Sequence, residues 1–465
     1  MGTNATSETT VDKSPFAIRN VRLFIAFRIF FNARFYYPIF TILFLDFGLT
    51  LEQFALLNAA WAAAIVLLEV PSGALADTFG RRNLLVVTGV LMVIEIAILC
   101  FVPLGNAGLL FAAFLVNRVL SGAAEAAASG ADEAIAYDTL KKEGNAGDWP
   151  QVLEKQMRMQ SLAYIVAMSL GAAVYDPALM QHFVNVLGIN FQMTQAITLR
   201  FPLYLTLVFA VMTLLTTLQM KEQRLSRSEC ENSDYCATST TQALRLTLQA
   251  GGWILKTPFA LVIIMAGLMF DNCIRMVITL GSQYYRLISL PEALFGLLGS
   301  GFAVLGLVIP RLAYKMVNRH SPTYNLGIMA ALTGLGLIGM TFFIPVIGLV
   351  PVALLMVVMY LGRFFESHYL NRITASHQRA TVLSFKGLSF NLAYGLIGVL
   401  YSILLAFLRP QLAAGNPGLS RLALENAVFI DSMGWFPWYF VLTMAALLVV
   451  ARRKLKNTDA HRKAG

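Results

Sequence analysis

Twelve runs of apolar residues, most of them about 20 long or longer, constrain this chain more than any other feature. Their approximate limits are 20–46, 53–76, 83–103, 107–131, 156–178, 196–219, 258–282, 291–314, 323–345, 350–371, 382–408 and 435–452. A helix needs roughly 20 apolar residues to cross the hydrocarbon of a bilayer. In lipid each backbone N–H and C=O must be satisfied internally, so only helices and closed barrels span. The runs are continuous rather than alternating, which selects helices over barrel strands. Only 13% of residues are charged, against about 25% in soluble domains. That excludes a water-soluble enzyme, a disordered chain and a disulfide scaffold. Cys100, Cys230, Cys236 and Cys273 have no metal-ligand spacing and read as free thiols. The polar stretch 1–15 lacks a cleavable signal pattern.

Loop charges orient the spans. With the N-terminus in the cytoplasm, 25 of the 35 Lys and Arg fall in cytoplasmic segments. Only three, Arg286, Arg409 and Arg421, fall outside. This is a strong positive-inside bias. The net charge of +10 therefore records membrane orientation, and no nucleic-acid partner is expected. The expected organisation is an all-α membrane protein of twelve spans with both termini cytoplasmic. A tail (1–19) precedes a six-helix bundle (20–219). A polar linker (220–257) follows, then a second six-helix bundle (258–452) and a tail (453–465). The second part of the linker has helical periodicity and is expected to lie along the membrane surface.

The halves repeat weakly. At an offset of about 239 residues, Phe31-Asn32 falls on Phe270-Asp271 and Val70-Pro71 on Ile309-Pro310. At 245, Arg118 falls on Arg363. Paired repeats are typical of secondary transporters, with the substrate site near midplane between them. The loop after the second span is the most specific motif, running Gly73-Ala74-Leu75-Ala76-Asp77-Thr78-Phe79-Gly80-Arg81-Arg82. Gly73 suits close helix approach, Asp77 sits at a helix end, Gly80 turns the chain, and Arg81 and Arg82 suit anionic headgroups. The stretch resembles the signature G-x-L-A-D-x-x-G-R-R of the major facilitator superfamily. Arg118-Val119-Leu120-Ser121-Gly122 is similar to that family's R-x-x-x-G pattern, which the resemblance links to energy coupling. The stretch Arg379–Ser384 resembles bacterial drug-exporter-like members. The fifth span departs from them, keeping only Gly171 of G-x-x-x-G-P-x-x-G-G.

A charge at mid-bilayer costs at least about 2.5–3.5 kcal/mol, so such residues usually face a cavity or a partner. Asn32 and Tyr36 share a stripe of span one with Arg28, while Arg34 lies on another face. Arg118 and Glu125 share a face of span four. Asp271 and Arg275 are i, i+4 in span seven, and Arg363 and Glu366 are i, i+3 in span ten, with His368 near. The resemblance implies that spans one, four, seven and ten line the central cavity. The expected substrate-binding set is Asn32, Arg34, Tyr36, Asp271, Arg275 and Arg363. Arg118, Glu125 and Glu366 are the expected proton-coupling residues. Gly73, Asp77, Gly80, Arg81 and Arg82 form the conformational motif. Simpler readings stay open beside these: intrahelical ion pairs in spans seven and ten, Arg28 reaching the headgroups, Glu69 bracing the signature loop, and His368 as an interior histidine. Glu95 in span three has no assignable partner.

No phosphate-binding loop, metal cluster or nucleophile–base arrangement occurs, so no cofactor, metal or enzymatic activity is expected. The reading is a monomeric secondary transporter of a bacterial-type inner membrane, with protons and a small molecule as partners. The first expectation is proton-coupled export of an amphiphilic or drug-like compound. The alternative is proton-coupled uptake or facilitated diffusion of an anionic or zwitterionic metabolite, which the arginine-rich core favours.

Overall fold

A computed structural model describes residues 14–222, 251–373 and 376–464; within these, the side chains at 70, 73, 74, 77, 78, 307, 371, 376–381, 383, 384 and 455–464 lie outside the description. The first half contains α1 (Arg19–Asn32), α2 (Phe40–Phe47), α3 (Leu51–Phe79), α4 (Arg81–Phe101), α5 (Ala107–Ala128), α6 (Ala131–Glu143), α7 (Trp149–Tyr175), α8 (Pro177–Val186), α9 (Gln195–Thr198) and α10 (Phe201–Gln219). The second contains α11 (Pro258–Thr279), α12 (Gly281–Leu287), α13 (Phe295–Arg319), α14 (Pro322–Met340), α15 (Leu349–Ile373), α16 (Ser376–Gly415), α17 (Arg421–Met433) and α18 (Trp435–Ala464). No strand occurs among the described residues. Eleven helical segments are long and apolar enough to cross a membrane, and they correspond to the second through twelfth spans.

The first span differs from expectation. It is not one helix over 20–46: α1 stops at Asn32, and helix resumes through a 3-10 turn at Tyr37–Ile39 into α2. Pro38 has no N–H to give to a helix and biases the residue before it away from helical geometry. The backbone groups this break frees are satisfied locally. The Phe35 N–H donates to Thr206 Oγ1 at 3.1 Å, and the Asn32 amide donates to the Arg28 carbonyl at 2.8 Å. The seventh span is interrupted too, α11 handing over to α12 at Leu280. Helices α3 and α13 each carry an internal proline, Pro71 and Pro310, the pair that the sequence offset aligns.

Other boundaries also move. The fourth span ends at Ala128, and Gly130, at φ +75°, turns the chain into α6. The stretch read as an outer loop after span eleven folds as α17, capped by Ser420 and burying Glu425, Val428 and Phe429. Helix α18 runs past 452 through most of the expected tail. Most of the linker, with Cys230 and Cys236, lies outside the described residues. Its end, 251–256, is helical, with Ile254 buried beside Ala260, Ile264, Leu370 and Val382. Cys100 and Cys273 are free and buried.

Small residues let the helices close on each other, which is how helices associate when lipid removes the hydrophobic drive. Gly395 and Gly398 of α16 lie against Ala55, Ala59 and Ala62 of α3, joining the halves. Gly296 of α13 lies on the backbone of Met168 and Ser169 of α7, the second such seam. A set of side-chain hydrogen bonds and ion pairs joins the halves at the end away from Gly80. Thr41 and Ile42 N–H groups donate to Ser282 Oγ at 2.9 and 3.2 Å. Arg286 holds Asp46 in a fork at 2.9 and 2.7 Å and also pairs with Glu292 at 2.6 Å. Arg409 joins Glu52 at 2.5 Å and Glu425 at 2.7 Å. Arg421 donates to the Gly48 carbonyl.

Candidate functional site

Four charged clusters lie on the helices that bound the space between the halves. Arg118 projects from the middle of α5 and is 5% exposed. Its Nη2 donates to Asn58 Oδ1 at 3.2 Å, and its guanidinium centre lies 5.3 Å from the ring centroids of both Phe40 and Trp61. Its Nε is buried without a hydrogen-bond partner, and no carboxylate pairs with it among the described residues. Cation–π contacts stabilise such a charge by about 2 kcal/mol or more when desolvated, yet leave its hydrogen bonds unmade.

The second half supplies a matching cation. Arg275 of α11 lies 3.1 Å from Asp271, 5.1 Å over the Tyr394 ring, and 3.5 Å from Asn391 Oδ1. Tyr394 meets Trp61 edge to face at 6.3 Å across the seam. Arg118, Trp61, Tyr394 and Arg275 thus form one chain across the halves, two guanidiniums separated by two aromatic rings. Asp271 is paired within its helix, one of the simpler readings of the sequence.

Arg34 lies elsewhere. It sits in the break after α1 and meets Glu95 of α4 at 2.5 Å, both side chains buried, at 2% and 0% exposure. Arg34 also donates to Tyr36 at 3.4 Å, and Asn117 donates to Glu95. Glu95 therefore has the partner that the sequence left unassigned. No contact joins Arg34 to Arg275 among the described residues. Tyr36 thus belongs to this cluster, buried beside Tyr37 and Phe40, whereas Asn32 is turned to its own helix.

Glu366 of α15 pairs with Lys386 of α16 at 3.2 Å, not with Arg363 in its own helix. Glu366, Asp271 and Arg363 line one small cavity between α11, α15 and α16. Glu125 makes no hydrogen bond or ion pair among the described residues, and seven residues on one helix do not bring it into contact with Arg118. His368 lies beside the ring of Phe364 at 6.3 Å. Arg28 pairs with Asp132 at 2.5 Å and Glu133 at 2.8 Å, so its charge is met by α6.

In the signature loop, Gly73 and Asp77 lie on α3 with their surroundings outside the description. Gly80 takes φ +96°, a conformation that favours glycine. Arg81 pairs with Asp138 of α6. Arg82 donates to the carbonyls of Met220 and Leu218 at 2.8 and 3.0 Å, while its N–H donates to Glu222 at 2.7 Å. The two arginines bind protein groups that fasten α4 to α6 and to the end of α10. Glu69 Oε2 is buried without a partner, so no brace to the loop is seen from it among the described residues.

Sequence reasoning did not single out Asn58, Trp61, Lys386, Asn391 or Tyr394. Lys386 carried a signal, a lone charge inside span eleven with Phe390 and Tyr394 at i+4 and i+8. The others are unremarkable residue types that helix packing brings to the arginines, α3 against α5 for Asn58 and Trp61 and α16 against α11 for Asn391 and Tyr394.

Eleven membrane-length helices with charged residues held between them are the setting of a membrane transporter, and the family match below places the chain among secondary transporters, not enzymes. The chain belongs to the Major Facilitator Superfamily, whose family model matches residues 22–398. Its fold is similar to that of the nucleoside transporter NupG (TM-score 0.66, 14% identity, covering 92% of this chain and 98% of that one). A bacterial homolog of the human lysosomal transporter Spinster, in an inward-facing and unoccupied conformation, gives a TM-score of 0.68 at 14% identity, over 95% and 98% of the two chains. A D-xylose–proton symporter gives 0.56 at 14%, over 90% and 97%. No curated protein matches the chain in sequence. At these identities the likenesses speak to the fold alone.

Proposed function

We propose that this transporter moves a small molecule bearing a carboxylate or similar anionic group, in company with protons. The observation that carries the reading is Arg118: a buried guanidinium with an unpartnered Nε and no carboxylate, linked through Trp61 and Tyr394 to Arg275 of the other half. A buried charge needs a partner. A planar guanidinium suits a two-oxygen anion. A substrate bridging Arg118 and Arg275 would touch both halves at once. It would also draw Arg275 from Asp271, giving the differential contact that alternating access requires. Of the two substrate classes expected from the sequence, this favours the anionic or zwitterionic metabolite over the drug-like amphiphile. Phe40, Trp61 and Tyr394 would accept a flat or apolar portion of it.

The bonds described between the halves lie at the end away from Gly80, and the other end carries the signature loop. The positive-inside charge bias makes that the cytoplasmic side of a bacterial-type inner membrane. Proton coupling is supported by Glu125, which has no bonded partner among the described residues, and by Glu366 in its cavity. It also has a precedent in this fold, since one structural neighbour is a D-xylose–proton symporter. The protein is read as a monomer without cofactor.

The test starts with a thermal-shift screen of the purified protein against mono- and dicarboxylates, amino acids, nucleotides and neutral amphiphiles. Hits are then titrated by calorimetry into wild type, Arg118→Ala and Arg275→Ala. Each variant should lose about 10–100-fold in affinity for an anionic hit, corresponding to about 1.5–3 kcal/mol for a charged hydrogen bond, and little for a neutral one. Vesicle flux should respond to an imposed pH gradient. Equal, small effects on both ligand kinds would overturn the anionic reading and return the weight to export of an amphiphile.

A further inference from the structure

We propose that Glu366 and Lys386 form a proton-for-anion exchange site, in which a proton taken by Glu366 releases Lys386 to hold the anionic group of the substrate on its way to Arg275 and Arg118. This rests on the anionic reading above and adds a residue and a stoichiometry to it.

Glu366 is 6% exposed and stands between two environments. On one side its Oε2 meets Lys386 Nζ at 3.2 Å. On the other, Oε1 is buried without a hydrogen-bond donor. That side is the wall of a cavity of about 30 Å³, lined also by Gly267, Asp271, Gly362 and Arg363. A cavity needs about 10–15 Å³ of such volume to hold one water, and two to four polar partners. Glu366 Oε1 is one of these, and Asp271, whose Oδ2 faces Arg275 Nε at 3.1 Å, lines the same cavity. Gly267 makes the arrangement possible, since a Cβ there would lie 2.9 Å from the Glu366 carboxyl carbon.

Lys386 reaches Glu366 from α16. Its side chain is 24% exposed and rests over Phe390 at 5.4 Å. Lys386, Phe390 and Tyr394 are spaced i, i+4, i+8 and share one face of α16. That face ends at Tyr394, beside Trp61 and Arg275, about 12 Å along the helix from Lys386. An anion held by Lys386 is therefore already on the stripe that leads to the arginine pair. Among the described residues, the charged groups that face Glu366 are Asp271 from α11, Arg363 from α15 and Lys386 from α16. Asp271 is matched by Arg275 and Glu366 by Lys386.

The step balances. A proton delivered through the cavity water forms the O–H bond of the Glu366 carboxylic acid. The ion pair with Lys386 breaks, and the ammonium keeps its protons and its charge. The substrate anion replaces the carboxylate as its partner. One proton and one negative charge arrive together, and release of the anion lets Glu366 return its proton and re-form the pair.

The test needs no substrate. Purified protein is labelled with a water-soluble amine-reactive ester over a pH series. Modification of Lys386 is measured by mass spectrometry as a ratio to the exposed Lys256, which corrects for the intrinsic pH response of amines. In wild type the ratio should rise several-fold as pH falls. In Glu366→Gln it should be high and flat. Acetate, compared with equal chloride, should protect Lys386 at acid pH only in wild type and at all pH values in the variant. Gly267→Ala, which keeps both charges but crowds the carboxyl and its cavity, should blunt the wild-type pH response. A flat wild-type ratio, or one that acetate does not lower at acid pH, overturns the site whatever flux experiments give. A normal response to pH and acetate, alongside Arg118→Ala and Arg275→Ala variants that bind anions normally, keeps the site and overturns the arginine reading instead.

Discussion

Arg34 and Glu95 illustrate how residue chemistry is settled by surroundings. Each was an intramembrane charge in the sequence, and arginine in a transporter core suggests substrate. Their contact at 2.5 Å, with both side chains buried, ties the break of the first span to α4. Removing one member of a buried pair leaves the other uncompensated and costs about 3–5 kcal/mol, whereas replacing both by apolar groups is often near neutral. Glu95→Gln should therefore lower the unfolding temperature in detergent clearly more than the double variant Arg34→Met/Glu95→Leu. A single variant as stable as wild type would show that the pair does not hold the break.

At the scale of the element, the interrupted first span is the main lesson. Its apolar run reads as one helix, and only Pro38 marks a break. A break inside lipid persists only where its freed backbone groups find partners. Thr206 on α10 supplies one, accepting the Phe35 N–H while donating to the Pro202 carbonyl at 2.8 Å. Thr206→Val keeps the shape and strands that N–H, which should cost about 1–3 kcal/mol. Thr206→Ser should retain most of the stability. Comparison of the two by thermal unfolding decides it, and equal behaviour would mean the Phe35 N–H has another partner. Gly171 of α7 lies against the Phe35 backbone, where any Cβ would collide with the carbonyl. The vestige of a fifth-span motif thus has a packing role at this break.

For the whole molecule, the bonds between Asp46 and Arg286 and between Glu52, Arg409 and Glu425 hold the halves together at one end. Asp46 and Arg286 are 240 residues apart, close to the offset at which the two parts of the sequence resemble each other. Breaking this latch should favour the opposite state. Asp46→Arg should shift spin-label distances across that end toward longer values, and the swap Asp46→Arg/Arg286→Asp should restore them. A single variant with wild-type distances would mean that packing of α3 on α16 and α7 on α13 closes this end unaided.

The fold was largely legible because its determinants are local: continuous apolar runs demand spanning helices, and the signature loop and the repeat offset were present in the order of residues. Sequence spacing also paired Asp271 with Arg275, one helical turn apart. It paired Glu366 with Arg363 by the same rule, and there the tertiary structure prevailed, because Lys386 comes to the other side of Glu366 from α16. Residues 58, 61 and 394 gained meaning only when α3 packed on α5 and α16 on α11, since nothing in an asparagine, a tryptophan or a tyrosine announces that a distant arginine will rest against it. By itself the sequence determined that the chain is a bundle of membrane-spanning helices, because the cost of burying backbone and charge in lipid is read one segment at a time. Which charges meet, and which stay uncompensated, was decided by the tertiary structure, because electrostatic pairing depends on distances between helices that periodicity along one helix does not encode.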